Sequence, residues 1–121
     1  MSENKFSSLR SENKKAVHEN LESIILSMLS SELMHGYGII TELRRRYGVY
    51  EGPSTIYPMI AKFEKQGLIK LVEKNIETGR LQKRYAITEK GRQMLRSYAV
   101  SFSIIVKEVS KIINTCNDNI V

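Results

Sequence analysis

At 121 residues the chain is long enough for one domain, or for one domain with an extension. Its formal net charge of +6 and pI of about 9.5 weakly favour a polyanionic partner. A single cysteine, Cys116, excludes an internal disulfide and is compatible with a reducing compartment, so we expect a cytoplasmic protein. No apolar run approaches the roughly 18 residues of a membrane span, and no secretory signal is visible, so we expect no membrane association.

The chain begins with a polar stretch and then a predicted core helix. Residues 1–19 are mixed in charge and contain too few apolar side chains to bury much surface, so we interpret them as a mobile N-terminal extension. The alternative is an arm in which Phe6 and Leu9 pack on a partner. The next segment, Asn20–Ser30, has apolar residues at i, i+3, i+4, i+7 and i+8, which predicts a core helix with Asn20 as N-cap.

A second helix is predicted over His35–Tyr47, with Gly48 as its C-cap and a short connection before it. Gly36 and Gly38 fit best at a helix start that packs closely against another element, since a glycine inside a helix costs roughly 1 kcal/mol against alanine. Three arginines at the other end suit the negative end of the helix dipole, and we prefer that interpretation to a phosphate contact. These are Arg44, Arg45 and Arg46. The expected buried stripe is Ile39, Ile40, Leu43 and Tyr47.

The stretch Gly52–Gly67 reads G-P-S-T-I-Y-P-M-I-A-K-F-E-K-Q-G and predicts a third helix with two different faces. Pro58 should lie near the first turn, because a proline deep in a helix costs roughly 3 kcal/mol, and Gly67 is a plausible stop. A front of hydroxyls and cations suits a DNA major groove, and the alternative is an ordinary amphipathic helix with a solvated face. The front residues are Ser54, Thr55, Lys62 and Lys65, and the apolar back consists of Ile56, Ile60 and Phe63.

Two short strands are predicted next, over Leu68–Lys74 and Leu81–Ile87, with a turn that has Gly79 at its tip. From Pro53 to Gly91 the chain holds eight cations and four acids, so most of the net charge lies in the third helix and this hairpin. The alternatives to a polyanion site are a solvated hairpin and lysines that protect a sheet edge. The cations on and near the tip are Lys74, Arg80, Lys83 and Arg84.

The longest periodic segment, Thr88–Cys116, predicts a helix with Thr88 as N-cap. Its apolar residues step by four and three, which is a heptad seam. Because the helix has more apolar surface than a small domain needs, we expect it to pack on a partner helix in a homodimer. The alternative is a helix folded back on its own domain. The predicted dimerisation residues are Leu95, Tyr98, Phe102, Ile105, Val109 and Ile112.

The predicted order of elements is helix, helix, helix, hairpin and long helix. This is a mainly α fold with a small β-hairpin (α+β), namely a winged helix-turn-helix with a long C-terminal dimerisation helix. We divide the chain into a polar extension at 1–19, a DNA-binding domain at 20–91, and a dimerisation helix and tail at 92–121.

Five short motifs carry a resemblance to the PadR family of transcriptional regulators. The resemblance covers about Leu21–Gly91, and the short chain is similar to the family branch with a single C-terminal dimerisation helix. It departs from the family pattern at 59–63, where a leucine-rich run is common. The motifs are H-G-Y at His35–Tyr37, S-T-I-Y-P at Ser54–Pro58, F-E-K-Q-G-L-I at Phe63–Ile69, K-R-Y-A-I-T at Lys83–Thr88 and E-K-G at Glu89–Gly91.

The resemblance implies a homodimeric repressor whose recognition helices enter major grooves of double-stranded DNA and whose wings touch the flanking backbone. It also implies release from DNA by a small aromatic or amphipathic effector near the dimer interface. Tyr37 is expected either to pack structurally or to contact a phosphate. The predicted DNA-binding residues are Tyr37, Ser54, Thr55, Tyr57, Lys62, Lys65, Lys74, Arg80, Lys83 and Arg84.

An enzyme or a metal protein finds little support in the sequence. His18 and His35 have no sequence-evident partner, and no metal-binding or phosphate-loop motif is present, so we expect no catalytic residue, no metal and no cofactor. Two rivals to a sequence-specific regulator are a winged-helix protein-interaction module and a sequence-independent DNA-binding protein.

Overall fold

The computed structural model describes residues 14–77 and 79–120, with the side chains of 75–77, 80 and 115–120 excepted. Within this part of the chain, a helical segment at 14–19 precedes three helices, a β-hairpin and a long final helix. The predicted fold class, a winged helix-turn-helix with a long C-terminal helix, is confirmed. The elements are α1 (Leu21–Ser31), α2 (Gly36–Tyr47), α3 (Pro53–Lys65), β1 (Ile69–Glu77), β2 (Arg80–Ile87) and α4 (Glu89–Ile120).

The core lies between α1, α2, α3 and the base of the hairpin. The predicted apolar faces of the three helices are buried there, with two exceptions. Ile24 is only partly buried, and Tyr47 is 37% exposed at the last residue of α2. Val17 also belongs to the core, so the end of the polar extension packs on the domain. The proposed arm residues Phe6 and Leu9 lie outside the described residues. The largest fully buried side chains include Leu21, Ile25, Leu26, Ile39, Leu43, Ile56 and Phe63.

The helix ends show where local chemistry differs from the expectation. Asn20 precedes α1 as predicted, but its side chain makes no N-cap hydrogen bond. It donates instead to the Ala16 carbonyl at 2.8 Å, because the helical segment 14–19 runs almost directly into α1. Pro58 is the sixth residue of α3 and not part of its first turn, since Pro53 already begins that helix. The helix nevertheless lies within the predicted stretch Gly52–Gly67, with Gly52 as its N-cap residue.

Gly67 ends α3 as predicted and turns the chain into the hairpin. It adopts a φ of 75°, a conformation that glycine reaches without a steric penalty. Its N–H donates to the Glu64 carbonyl at 3.1 Å, and the N–H of Leu68 donates to the Phe63 carbonyl at 2.9 Å. These two hydrogen bonds form a Schellman motif, which satisfies carbonyls at the end of α3 and directs Leu68 into the core.

The hairpin is longer than predicted, because β1 continues to Glu77 and β2 begins at Arg80. Its strands pair antiparallel from Ile69 opposite Ile87 to the tip, with a bulge between Leu71 and Glu73. Met34, expected in a simple connection, extends the sheet instead. Its backbone exchanges two hydrogen bonds with that of Tyr85, at 2.9 and 3.3 Å. The hairpin is therefore attached directly to the segment that begins α2.

The long helix α4 starts at the base of the hairpin. The hydroxyl of Thr88 accepts from the Gly91 N–H at 3.1 Å, which confirms the predicted N-cap, and donates to the Gly67 carbonyl at 2.6 Å. A side chain at Gly91 would collide with the Leu68 carbonyl and would lie 2.6 Å from Ile87. Glycine at this position therefore lets the first turn of α4 approach the hairpin closely.

Beyond its first turns α4 leaves the body of the domain. Leu95 and Tyr98 pack partly against the core, but every side chain from 99 to 114 is exposed. The helix continues to Ile120, past the predicted end at Cys116. No helix in the described part of the chain has both the length and the apolarity to cross a membrane.

Candidate nucleic-acid interface

The centre of the exposed face of α3 is built mainly from short side chains. Helical spacing places Ser54, Pro58, Ala61 and Lys65 opposite the buried back of α3, and all four are exposed. Thr55 lies at the edge of this face and is half-buried. Sequence reasoning missed Pro58 and Ala61, whose small size leaves the backbone of α3 accessible. A face of this shape can approach the floor of a major groove.

Lys62 does not join that face. Its ammonium group forms an ion pair and a hydrogen bond with Glu22 of α1, and this hydrogen bond is the main cause of a raised pKa for Lys62. The helical phase explains the difference, because Lys62 lies on the side of α3 that is turned toward α1, whereas Lys65 lies on the outer side. The structure therefore supports Lys65 more strongly than Lys62 as a phosphate contact.

The side chain of Tyr57 in α3 contacts the start of α2. Its ring lies against Gly36, where an added Cβ would come within 2.8 Å of the ring carbon Cζ. The ring still exposes 49% of its surface, and Tyr37 nearby exposes 67%. The expected close packing at the start of α2 is thus confirmed for Gly36. Because Tyr57 lies against Gly36, the two exposed tyrosines Tyr37 and Tyr57 are close together beside the first turn of α3.

His35 caps α2 with its side chain. The Nδ1 atom accepts a hydrogen bond from the Gly38 N–H at 2.8 Å, so one of the free amides at this helix start is already satisfied. His18, the other histidine, shares a 2.8 Å hydrogen bond with the carboxylate of Glu51, which is buried in the loop before α3. The described residues contain no group of side chains arranged to hold a metal ion.

A groove of about 490 Å³ separates α3 from the hairpin. Its lining is largely aromatic, with Tyr57 contributed by α3 and Tyr85 by β2, and Lys83 lies beside them. Leu81, 55% exposed, borders the same space. The lining residues are His35, Gly36, Tyr37, Tyr57, Leu81, Gln82, Lys83 and Tyr85.

The wing cations divide between the two faces of the hairpin. Lys83 shares the face of Tyr85, two residues further along β2, and Lys74 is its direct partner on β1. Arg84 points to the other face and forms an ion pair with Glu73 at 3.7 Å. The side chain of Arg80 lies outside the described residues. Two lysines directly opposite one another are unfavourable in an isolated sheet, so this face of the wing concentrates positive charge beside the groove.

Most of the arginine charge at the end of α2 is compensated within the chain. The side chain of Arg45 donates twice to Glu42, at 2.8 and 3.0 Å, and Arg46 donates once at 2.7 Å. These contacts lower the pKa of Glu42 to about 2, chiefly through the hydrogen bond from Arg45. Because this pKa is depressed, any contribution of the contacts to stability is present above pH 4.5 and is lost as the pH falls toward 2.

Comparison with known proteins agrees with this fold. The family model for the transcriptional regulator PadR-like family matches residues 25–97, more than half of the 121-residue chain. The chain belongs to the PadR-like family of transcriptional regulators. The matched range runs from α1, through α2, α3 and the hairpin, into the first turns of α4.

Solved structures of PadR-like proteins share this fold. A PadR-like transcriptional regulator from Bacillus cereus is 27% identical with a TM-score of 0.71, and the match covers 82% of this chain and 96% of that one. A PadR family transcriptional regulator from Eggerthella lenta is 25% identical with a TM-score of 0.70, covering 93% and 95%. No curated protein matches the chain. Membership in the PadR-like family supports a DNA-binding regulator.

The Lys74–Lys83 pair gives a stability test that needs no DNA. We expect Lys83→Glu to raise the free energy of unfolding by roughly 0.2–1 kcal/mol, because an ion pair replaces two like charges across the strands. Thermal unfolding monitored by circular dichroism would measure the change. Lys70→Glu is the matched control, since it makes the same charge change on β1 opposite Ala86. Equal effects of the two variants would contradict the expectation.

Proposed function

We propose that this PadR-like protein is a homodimeric, sequence-specific repressor that a small aromatic or amphipathic effector releases from DNA. The observation that carries the DNA-binding part is the exposed face of α3, with short side chains at its centre, next to the wing face that bears Lys74 and Lys83. In this proposal α3 enters the major groove, where Ser54, Thr55 and Tyr57 reach bases or phosphates.

The phosphate contacts surround that face. Lys65 extends from the outer side of α3, and Lys74 and Lys83 approach the flanking backbone from the wing. A phosphate between the two lysines would offset their mutual repulsion, so the pair that is unfavourable in the free protein becomes favourable on DNA. The exposure of Tyr37 at the start of α2 supports a phosphate contact by this residue. Arg84 is a weaker candidate, because it pairs with Glu73 on the other face of the wing.

The DNA-binding proposal predicts a defined salt dependence. We expect Lys83→Ala to weaken binding to a duplex selected by the protein and to a scrambled duplex by similar factors. The plot of log affinity against log salt should become shallower by about 0.9 for each phosphate that the variant no longer neutralises. Fluorescence anisotropy over a series of salt concentrations measures both quantities, with Lys70→Ala as the control.

The same titration separates the proposed repressor from its rivals. A regulator should prefer the selected duplex by roughly 10³ or more, whereas a sequence-independent binder would show a ratio near one. A protein-interaction module would bind neither duplex even at low salt. For the repressor role, transcription from a reporter that carries the selected site should fall when the protein is added. Unchanged or increased transcription would contradict repression.

The dimer proposal rests on the apolar surface of α4. Phe102, Ile105, Val109 and Ile112 follow the heptad steps and expose between 40% and 63% of their surface in the single chain. Leu95 and Tyr98, at the start of the predicted seam, pack partly on their own domain. The rings of Tyr98 and Phe102 are 6.4 Å apart, so the apolar surface continues from the core onto the free part of the helix.

Disruption of this seam should produce a monomer. We expect Ile105→Asp to halve the molecular mass measured by light scattering, because a carboxylate would be buried at the centre of the helix pair. Ile105 is 56% exposed in the single chain, so the substitution should leave the domain folded. Ser103→Asp adds the same charge off the seam and should remain dimeric. A wild-type protein that is monomeric at micromolar concentration would contradict the proposal.

The effector proposal rests on an apolar groove of about 400 Å³ between α1 and α4. It combines hydroxyl and amide groups with aromatic rings, which suits a small amphipathic molecule. Phe102 lines both this groove and the proposed dimer seam, so a ligand here would touch the region where two copies meet. The lining residues are Asn20, Ser23, Ile24, Ser27, Tyr47, Leu95, Tyr98, Ala99, Phe102 and Val106.

A fluorescent probe can test this groove. We expect the anionic naphthalene dye ANS to bind the wild-type protein and to lower its affinity for the selected duplex. Ser27→Phe, which fills one wall of the groove, should weaken dye binding at least several-fold while DNA binding without dye is unchanged. Fluorescence titration measures the first effect and anisotropy the second. Dye binding that Ser27→Phe removes but that never alters DNA affinity would contradict effector release.

A further inference from the structure

The three arginines at the end of α2 have different surroundings. Arg45 and Arg46 are bound to the Glu42 carboxylate, and Arg46 also lies 4.0 Å from Glu32. Arg44 has no ion pair or carboxylate hydrogen bond within the described part of the chain. Its guanidinium carbon instead lies 5.3 Å from the centre of the Tyr50 ring. The helix dipole explains a cation at this helix end, but it does not explain why one arginine is held on an aromatic ring and away from acids.

Stacking prepares Arg44 to bind an anion. A guanidinium group that lies over a ring keeps its N–H donors at the edge free, and those donors match two oxygens of a phosphate. Because the ring already restricts the long side chain, less conformational entropy is lost on binding. Tyr50 is itself 54% exposed, so the stacked pair stands at the surface.

The pair belongs to a groove without acidic side chains among its lining residues. Arg44 shares the outer face of α2 with Tyr37 and Thr41, at i, i+4 and i+7, and this face borders Pro53 at the first residue of α3. The groove on the other side of Tyr37 and Thr41 is different, because Glu32 and Glu42 line it together with Arg84. The side of α2 that bears Arg44 is therefore the one whose lining offers a cation and no carboxylate to an anion.

Tyr37 connects this groove to the groove beside the wing, since it lines both. The surface from Lys83, past Tyr37, to Arg44 thus runs along the first turn of α3 and carries cations at its two ends. In helix-turn-helix proteins the helix before the recognition helix crosses the DNA backbone. The outer face of α2 is placed for that contact once α3 lies in the groove.

We propose that Arg44, held on the ring of Tyr50, binds a DNA phosphate at the opposite end of the interface from Lys83. This inference rests on the proposed DNA-binding function and adds a second backbone contact to it. The contact fixes the orientation of α3 in the groove, because a phosphate would be held at each end of the surface. A phosphate contact does not distinguish one base sequence from another.

The neighbouring arginine provides a matched control. Arg44→Ala and Arg45→Ala remove the same charge from adjacent positions of one helix turn, but only Arg44 is free of an acidic partner among the described residues. We expect Arg44→Ala to weaken binding to selected and scrambled duplexes alike, by about tenfold, and to make the salt slope shallower by about 0.9 per protomer. Arg45→Ala should change affinity by less than about twofold and leave the slope unaltered.

Substitution of the ring tests the stacking. Tyr50→Phe keeps the ring and should retain wild-type affinity within about twofold, whereas Tyr50→Leu should remove part of the effect of Arg44. Circular dichroism and light scattering on each variant verify that the fold and the mass are unchanged. If Tyr50→Leu and Tyr50→Phe lower the affinity equally, the contact depends on the hydroxyl and the stacking argument is wrong.

The outcomes distinguish this inference from the proposed function. If Lys83→Ala makes the slope shallower but Arg44→Ala does not, the second contact is overturned while DNA binding through the wing stands. Equal losses of affinity for Arg44→Ala and Arg45→Ala would also overturn it, because they would reflect net charge alone. A change of sequence preference without a change of slope would identify a base contact, contrary to the inference. If the wild-type protein binds no duplex at low salt, the proposed DNA-binding function is overturned, and this inference with it.

Discussion

The contact between the ring of Tyr57 and the bare backbone of Gly36 determines how close α3 can lie to the start of α2. Any side chain at that position would collide with the ring of Tyr57 and force it to move. The bridge from Met34 to Tyr85 attaches the hairpin to the same short segment. Two exposed tyrosines, the first turn of α3 and the base of the wing therefore converge on a few residues before α2, and the candidate interface depends on that convergence.

The distribution of charge matters more than its total. Of the 19 lysines and arginines, several are already paired with acids inside the molecule, as Lys62 is with Glu22 and Arg45 with Glu42. Other cations lie around the exposed face of α3, where Lys74 and Lys83 are held opposite one another. Two like charges held opposite one another are unfavourable in the isolated protein. A bound polyanion would remove this repulsion, so the pair favours such a partner.

The long helix α4 belongs to two environments. Its first turns are fixed by the Thr88 cap and by the close approach at Gly91, and they pack on the core. Its outer part carries apolar side chains that are exposed in the single chain. The groove next to α1 lies where the two parts meet, and Phe102 is common to that groove and the free surface. A ligand in the groove and a second copy on α4 would consequently compete for, or share, the same side chains.

The sequence by itself determined the order of elements, the buried faces of α1, α2 and α3, the turn at Gly67, the cap at Thr88 and the family, because these follow from local periodicity, backbone preferences and short motifs. It indicated neither the hydrogen-bond partner of the Asn20 side chain nor the full length of the hairpin, and it placed Pro58 a turn too early. Only the tertiary structure decided which cations are free. Lys62 and Lys65 are equivalent in the sequence, as are Arg44 and Arg45. Their surroundings differ in the structure, because Glu22 of α1 pairs with Lys62, Glu42 of the same helix pairs with Arg45, and the ring of Tyr50 holds Arg44.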